Sequence, residues 1–474
     1  GAGSTSPNDR GVDLSGATLN ANGGHIVIRG RGFAGTGSDN YGVYIHNDST
    51  VQTSGAGTIT IVGEGGTGTN SNQGVRIDGN SANGTTISTV DGALSITGTG
   101  GTGVGGGSGG FLRGIRFIAG RVSSVNGAIS LTGTSGNDAG NDNDGVHMAA
   151  QATVLSTGTG DISITGTVGG PASLVDNDGV TMIGTVRSTG TGAIHITGTS
   201  KGSASGQLNT GVYISGTVES TAAGGSGGIE ITGTAGPGTG NDKGVFIDGS
   251  GGFGIVRAQN SGITILATGG SAATDHGLLV SGASATLATV TGGDIAVTVA
   301  GPAAGSRILL GQPVTTAGAL SLATTGPIDL PGSISTGGVL ALSSGTGQDI
   351  TLGGSLQATR SGLADNVAAI DIASGRDILL ASTTSLTTPA SGAIRLTAAG
   401  AINLKVNDGG NNGASNSLAA AGNLDLSAGT AISRTDGNAV LLSGKAVSLS
   451  AGSSIGSLGG AITASTGDLV LSAA

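Results

Sequence analysis

Oxygen-bearing side chains recur at one phase of this sequence, and their grouping suits either a hard cation or the closing of tight turns. Asp and Asn gather in Ser38-Asp39-Asn40-Tyr41, Asn70-Ser71-Asn72-Gln73, Asn137-Asp138 with Asn141-Asp142-Asn143-Asp144, Asp176-Asn177-Asp178, Asn209-Thr210, Asn241-Asp242-Lys243 and Thr274-Asp275-His276. If these groups stack at strand spacing, neighbouring carboxylates lie about 5 Å apart and repel unless a cation, an amide or an ammonium intervenes. Ca2+ takes such oxygen ligands. Asp144, Asp176, Asp178, Asp242 and Asp275 are therefore the candidate metal ligands, and Ca2+ is the cofactor they would serve. The competing reading is structural: Asx side chains satisfy corner backbone groups and ladder through their amides. An Asp-x-Asp-x-Asp-Gly loop with a distal Glu does not occur, and no Gly-Gly-x-Gly-x-Asp repeat is present, so the specific calcium signatures are missing.

Catalytic constellations are not evident. Asp and Arg are scattered, and no short stretch joins two carboxylates to a base, as sugar-cleaving enzymes require. The chain has three Tyr (Tyr41, Tyr44 and Tyr213) and no Trp, which is little aromatic platform for a sugar cleft. Tyr44, Tyr213 and His147 share one strand position, as part of a recognition stripe or as ordinary outward residues. His25, His46, His195 and His276 lack metal-ligand spacing, and Gly-x-Gly strings such as Gly98–Gly103 lack the Gly-Lys-Ser/Thr of a phosphate loop. The net charge of −10 comes without a basic stripe, which argues against a nucleic-acid partner. Apolar runs fall short of the roughly 18 residues of a membrane helix, so no membrane insertion is expected of this segment.

The elements that must hold these residues follow from a repeat. Gly24-His-Ile-Val-Ile28, Gly57-Thr-Ile-Thr-Ile61, Gly92-Ala-Leu-Ser-Ile96 and Gly127-Ala-Ile-Ser-Leu131 open a series that runs to Gly293-Asp-Ile-Ala-Val297. Its first apolar residue falls at 26, 59, 94, 129, 162, 194, 229, 263 and 295, a period of about 34. A second phrase follows in each repeat (Gly42-Val-Tyr-Ile45, Gly145-Val-His-Met148, Gly211-Val-Tyr-Ile214), then a third (Thr50-Val51, Thr153-Val154, Thr217-Val218). Alternation of period 2 in Ile, Val and Thr is a strand signal. Three short strands per repeat cannot make an independent sheet, but they can wind once around an axis and pair with the next turn. The expected fold class is all-β: a parallel β-helix solenoid, taken as right-handed, with three strands per coil. Gly before each strand serves a corner, through positive φ or close backbone approach. Residues 1–300 form the long-coil part with Gly/Asn/Asp-rich loops. From position 301 to 474 the loops thin, and the step from Leu320 to Leu340, about 20, marks a shorter coil that continues the same rod. With 99 Gly among 474 residues, the core must be built from small and aliphatic side chains.

The phrases Gly-Ala-Ile-Ser-Leu-Thr-Gly-Thr and Asp-Ile-Ser-Ile-Thr-Gly-Thr, and short coils such as Gly337-Gly-Val-Leu-Ala-Leu-Ser-Ser344, resemble filamentous-haemagglutinin-like exoproteins and autotransporter passengers of bacteria. The resemblance implies a secreted shaft on the surface of a Gram-negative-type cell. The absence of Cys fits export through an oxidising compartment. The leading expectation is a non-enzymatic extracellular structural protein, an adhesin shaft or filament subunit. Its partners would be identical copies end to end, other surface or matrix components, or glycans. The alternatives are a β-helical polysaccharide lyase or hydrolase and a calcium-dependent carbohydrate-binding module.

Overall fold

The computed structural model describes residues 9–473 except 104–109, 138–139, 171–174, 202–206, 223–226, 382–383, 405–415, 434–439 and 457–461. The chain winds into a parallel β-helix with three strands per coil. One coil shows the pattern: Ile162–Thr167, Val180–Met182 and Thr185–Ser188, followed by Ile194–Thr199, Val212–Ile214 and Thr217–Ser220 of the next. In Ile162–Thr167 the residues Ile162, Ile164 and Gly166 are buried, while Ser163, Thr165 and Thr167 are half-exposed. The alternation read from sequence is thus the alternation between tube interior and exterior.

Like strands pair in parallel and in register. The first strands alone give fifteen successive pairings that align Ile26, Ile59, Leu94, Ile129, Ile162, Ile194, Ile229, Ile263, Ile295, Leu320, Leu340, Ile370, Ile394, Leu424, Val447 and Leu469. Sixteen turns at about 4.8 Å make a rod of roughly 75 Å. The second strands align Val43, Val75, Ile115, Val146, Val180, Val212 and Val245, and the third align Val154, Val186, Val218 and Val256. These inward rows merge into one continuous core of Ile, Val and Leu, with Phe117, Met148 and Met182 among its bulkier members. Burying one such side chain contributes roughly 1.5–3 kcal/mol. Neighbouring coils share that burial, so a coil is stable in its stack rather than alone.

Coils shorten beyond Ile295. Residues 168–179 connect the first strand to the second in the coil just described, whereas residues 325–327 suffice between Leu320–Thr324 and Ile328–Leu330. Beyond position 300 the first-strand row runs through Leu320, Leu340, Ile370, Ile394, Leu424 and Val447, in steps that are shorter than before and uneven. Residues 359–367 form one of the added loops, between Ser355–Ala358 and Ala368–Ser374. The long-coil half therefore carries an extra lobe along one side of the tube. Its neck is made of glycine. A Cβ on Gly166 would lie 2.7 Å from the Gly179 carbonyl carbon and the Val180 Cγ2. The same contact recurs between Gly133 and Gly145, Gly198 and Gly211, and Gly233 and Gly244. Among the described residues no helix is long and apolar enough to cross a membrane.

Candidate functional site

The lobe returns to the tube through one repeated corner: a left-handed residue, a buried Asx, one further residue, then glycine and the second strand. Asp39, Ser71, Phe111, Asp142, Asp176, Leu208 and Asn241 all take the left-handed conformation, with φ between 56° and 70°. Asp and Asn tolerate it, whereas Leu208 and Phe111 are strained. The following glycines (Gly145, Gly179, Gly211) do not have positive φ. Of the two uses expected for glycine at the corner, these positions serve close approach.

Behind each left-handed residue runs a buried Asx column. The Asp9 N–H donates to Asn40 Oδ1 at 3.3 Å and the Asn40 N–H to Asn72 Oδ1 at 3.3 Å. Beyond Leu112, which donates its N–H to Asn143 at 2.9 Å, the chain of bonds passes Asn143 to Asn177, Asn177 to Asn209, Asn209 to Asp242 and Asp242 to Asp275, at 2.8–3.2 Å. Each side-chain oxygen accepts the backbone N–H of the preceding coil, which gives buried polar groups the partners they need.

The next residue of each corner forms a wall: Tyr41, Gln73, Arg113, Asp144, Asp178, Thr210 and Lys243. It faces the outward row of the second strands, which runs in register through Tyr44, Arg76, Arg116, His147, Thr181, Tyr213 and Phe246. This row is outward from the tube yet covered by the lobe, and Tyr44 is only 9% exposed. Where wall and floor carry small residues, Thr210 and Thr181, the two rows part and leave a cavity of about 330 Å³. Asp144 and Asp178 form part of its wall, Asp142 and Asp176 reach it from the left-handed corners, and Tyr213, Phe246, Leu208 and Lys243 complete it.

Charge in the cavity is strongly differentiated. Asp144 accepts from Arg113 Nε at 2.8 Å, from His147 Nδ1 at 2.9 Å and from the Asp178 N–H at 3.2 Å. Burial pushes its carboxyl upward, but Arg113 and the His147 hydrogen bond prevail and hold it below the usual carboxylate range. Asp178 accepts the Thr210 N–H at 2.7 Å and the Thr181 hydroxyl at 2.9 Å. Burial first, and the Asp144 charge second, push Asp178 well above its ordinary value. Asp142 and Asp176 are raised by burial and by their acidic neighbours. Lys243 is lowered by burial against the pull of Asp178 and Asp242. Its ammonium donates to the Asn241 carbonyl at 2.6 Å and stands 5.1 Å from the Phe246 ring centre.

Of the five carboxylates singled out from sequence, Asp144, Asp176 and Asp178 converge on this cavity. Asp242 and Asp275 instead belong to the Asx column, each with Oδ1 bound to a backbone N–H. Among the described residues no group of three or more His, Cys, Asp or Glu is placed to hold a metal ion. Asp138 lies outside the described residues. Sequence reasoning missed Thr181, Thr210, Lys243 and Phe246 as a set. The signal is present, because two small residues at aligned phases of successive repeats leave room that Arg, Tyr or Phe fills elsewhere. Tyr213 and His147 do share one row, as their phase implied, but the lobe covers it. Comparison with protein-family models, curated proteins and solved structures finds no match to this chain.

Proposed function

We propose that this chain is a non-enzymatic structural shaft of the extracellular surface, of the filamentous-haemagglutinin-like or autotransporter-passenger kind, from a Gram-negative-type bacterium. One observation carries the reading: sixteen first strands stay in register along the whole rod, so the regularity of the molecule lies in its length. A stack of this kind resists bending and sets surface residues at fixed axial intervals, as a shaft or filament subunit must. Its contacts would be lateral, through the lobes of the long-coil half, and axial, between identical copies. Electron microscopy of the purified chain tests this. Rods of roughly 75 Å, or polymers in steps of that length, support the shaft; compact particles refute it.

One observation favours a second reading, a β-helical glycan-cleaving enzyme. Asp144 and Asp178 sit in adjacent coils with proton affinities displaced in opposite directions, as acid–base pairs require. Against it, Asp144 is already held by Arg113 and His147. Release of reducing ends from polysaccharides, lost in Asp178→Asn, would establish the enzyme over the shaft.

A further inference from the structure

The cavity at Thr181 and Thr210 presents three kinds of contact together, and one class of ligand uses all three. Asp142 and Asp176 line it from the left-handed corners and offer carboxylate oxygens as hydrogen-bond acceptors at its mouth. Lys243 is 7% exposed and lines the cavity. An ammonium has three N–H donors, and among the described residues that of Lys243 bonds one acceptor, the Asn241 carbonyl. Two donors of a nearly buried cation are thus left for an incoming oxygen. Tyr213 and Phe246 supply an apolar wall, their rings 5.4 Å apart and tilted by 53°.

Carboxylates at the mouth call for O–H or N–H donors, the ammonium calls for oxygen acceptors, and the rings call for C–H. A simple anion would meet the acidic residues. A simple amine would meet Lys243 in the place where an ammonium already stands over Phe246. A polyhydroxylated ring offers donors, acceptors and an apolar C–H face without net charge. The cavity volume, at the low end of the roughly 300–1,000 Å³ typical of small-molecule sites, suits one such ring entering from the side of the rod. We propose that this cavity binds a single neutral sugar residue of a glycan, held between the Asp142, Asp176 and Lys243 polar groups and the Tyr213–Phe246 wall, without a metal ion. The site depends on the fold alone and holds whether or not the rod is a surface shaft.

The test is an array of neutral, acidic and amino glycans probed with the full chain, followed by titration of the best neutral glycan by calorimetry. Neutral glycans are expected to bind, with affinity unchanged by EDTA. Phe246→Ala is expected to weaken binding at least tenfold. Thr181→Phe, which places in this coil the ring that Phe246 places two coils on, is expected to abolish it. Circular dichroism and melting of both variants check that the rod is intact, and Lys243→Gln supplies a third variant should either fail to fold. Capture of no glycan would overturn the proposal. So would capture that needs Ca2+, capture confined to amino glycans, or binding undiminished in folded Thr181→Phe. Rods seen by microscopy with an empty array would sink the sugar site and leave the shaft standing.

Discussion

Gly166→Ala is the sharpest perturbation of the fold. The added methyl would lie 2.7 Å from the Gly179 carbonyl carbon and from Val180 Cγ2, and nearer still to the Gly179 oxygen. Carbon contacts are comfortable at about 3.5–4.0 Å, so relief needs a movement of about 1 Å. Nothing flexible is available to move. Gly166 pairs with Gly133 in one neighbouring coil and Gly198 in the other, and Gly179 opens a strand locked by bonds to the next. Overpacking a rigid interior costs roughly 1–3 kcal/mol, and a clash with backbone on the far side belongs at or above the top of that range. Gly251→Ala is the control, because a Cβ there meets nothing within 4 Å and its φ is not positive. That change should be neutral or stabilise by up to about 1 kcal/mol through the unfolded chain. A long solenoid need not unfold in one step, so hydrogen exchange is the assay. In Gly166→Ala the amides of residues 162–199 should lose at least about 3 kcal/mol of opening free energy, while those near Ile402 and Ile432 stay unchanged. Equal protection in both variants would refute the glycine neck.

Three further outcomes are expected. Burial pushes the Asp242 carboxyl up to about 6, and its Oδ2 is buried with no hydrogen-bond partner among the described residues. The folded state therefore binds this proton more tightly than the unfolded chain, whose Asp titrates near about 3.9, and stability is full below pH 4 and falls as pH rises through 6. Asp242→Asn, which supplies the residue found in this column at 143, 177 and 209, should stabilise by about 1–3 kcal/mol at pH 7.5 and by nothing at pH 3.5; equal urea midpoint shifts at both pH values would exclude the linkage. Ile164, fully buried in the first-strand row, should cost about 0.5–1.5 kcal/mol as Val and 2–5 as Ala, measured by hydrogen exchange in its own and the neighbouring coils. Leu208, left-handed at φ 60° and 41% exposed, should gain about 0.5–1 kcal/mol as Asn, and a loss in the same measurement would show that its side chain is packed.

The tube is legible because its signal is periodic. The spacing of Gly-x-aliphatic phrases aligns Ile26, Ile59 and Leu94, and they are register partners. The third phrase is legible for the same reason, since Val154, Val186 and Val218 each follow a Thr at the same phase of the repeat. The lobe is not. Its corner turns on left-handed Asp142, Asp176 and Leu208, while glycine there serves close backbone approach, one of the two uses the sequence allowed it, and not positive φ. Asp242 and Asp178 read alike as acidic loop residues. One residue of offset sends the first into a backbone-bonded column and the second to a cavity wall, and only the fold of the lobe decides which. The uneven coils after Leu340 leave no mark in the phrases, because their added residues lie outside the strands.

The strict phase of the first strands has a genetic consequence. Asp161 precedes Ile162 in the same way that Ala193 precedes Ile194, so excising residues 162–193 rejoins equivalent points and brings Ile129 directly beneath Ile194. Loss or duplication of one whole turn is then an in-frame edit that makes the molecule about 4.8 Å shorter or longer and leaves each surviving rung with a matching neighbour. Rod length can therefore change in quantised increments, whereas an edit of any other size must be absorbed in the loops between strands, as at residues 359–367.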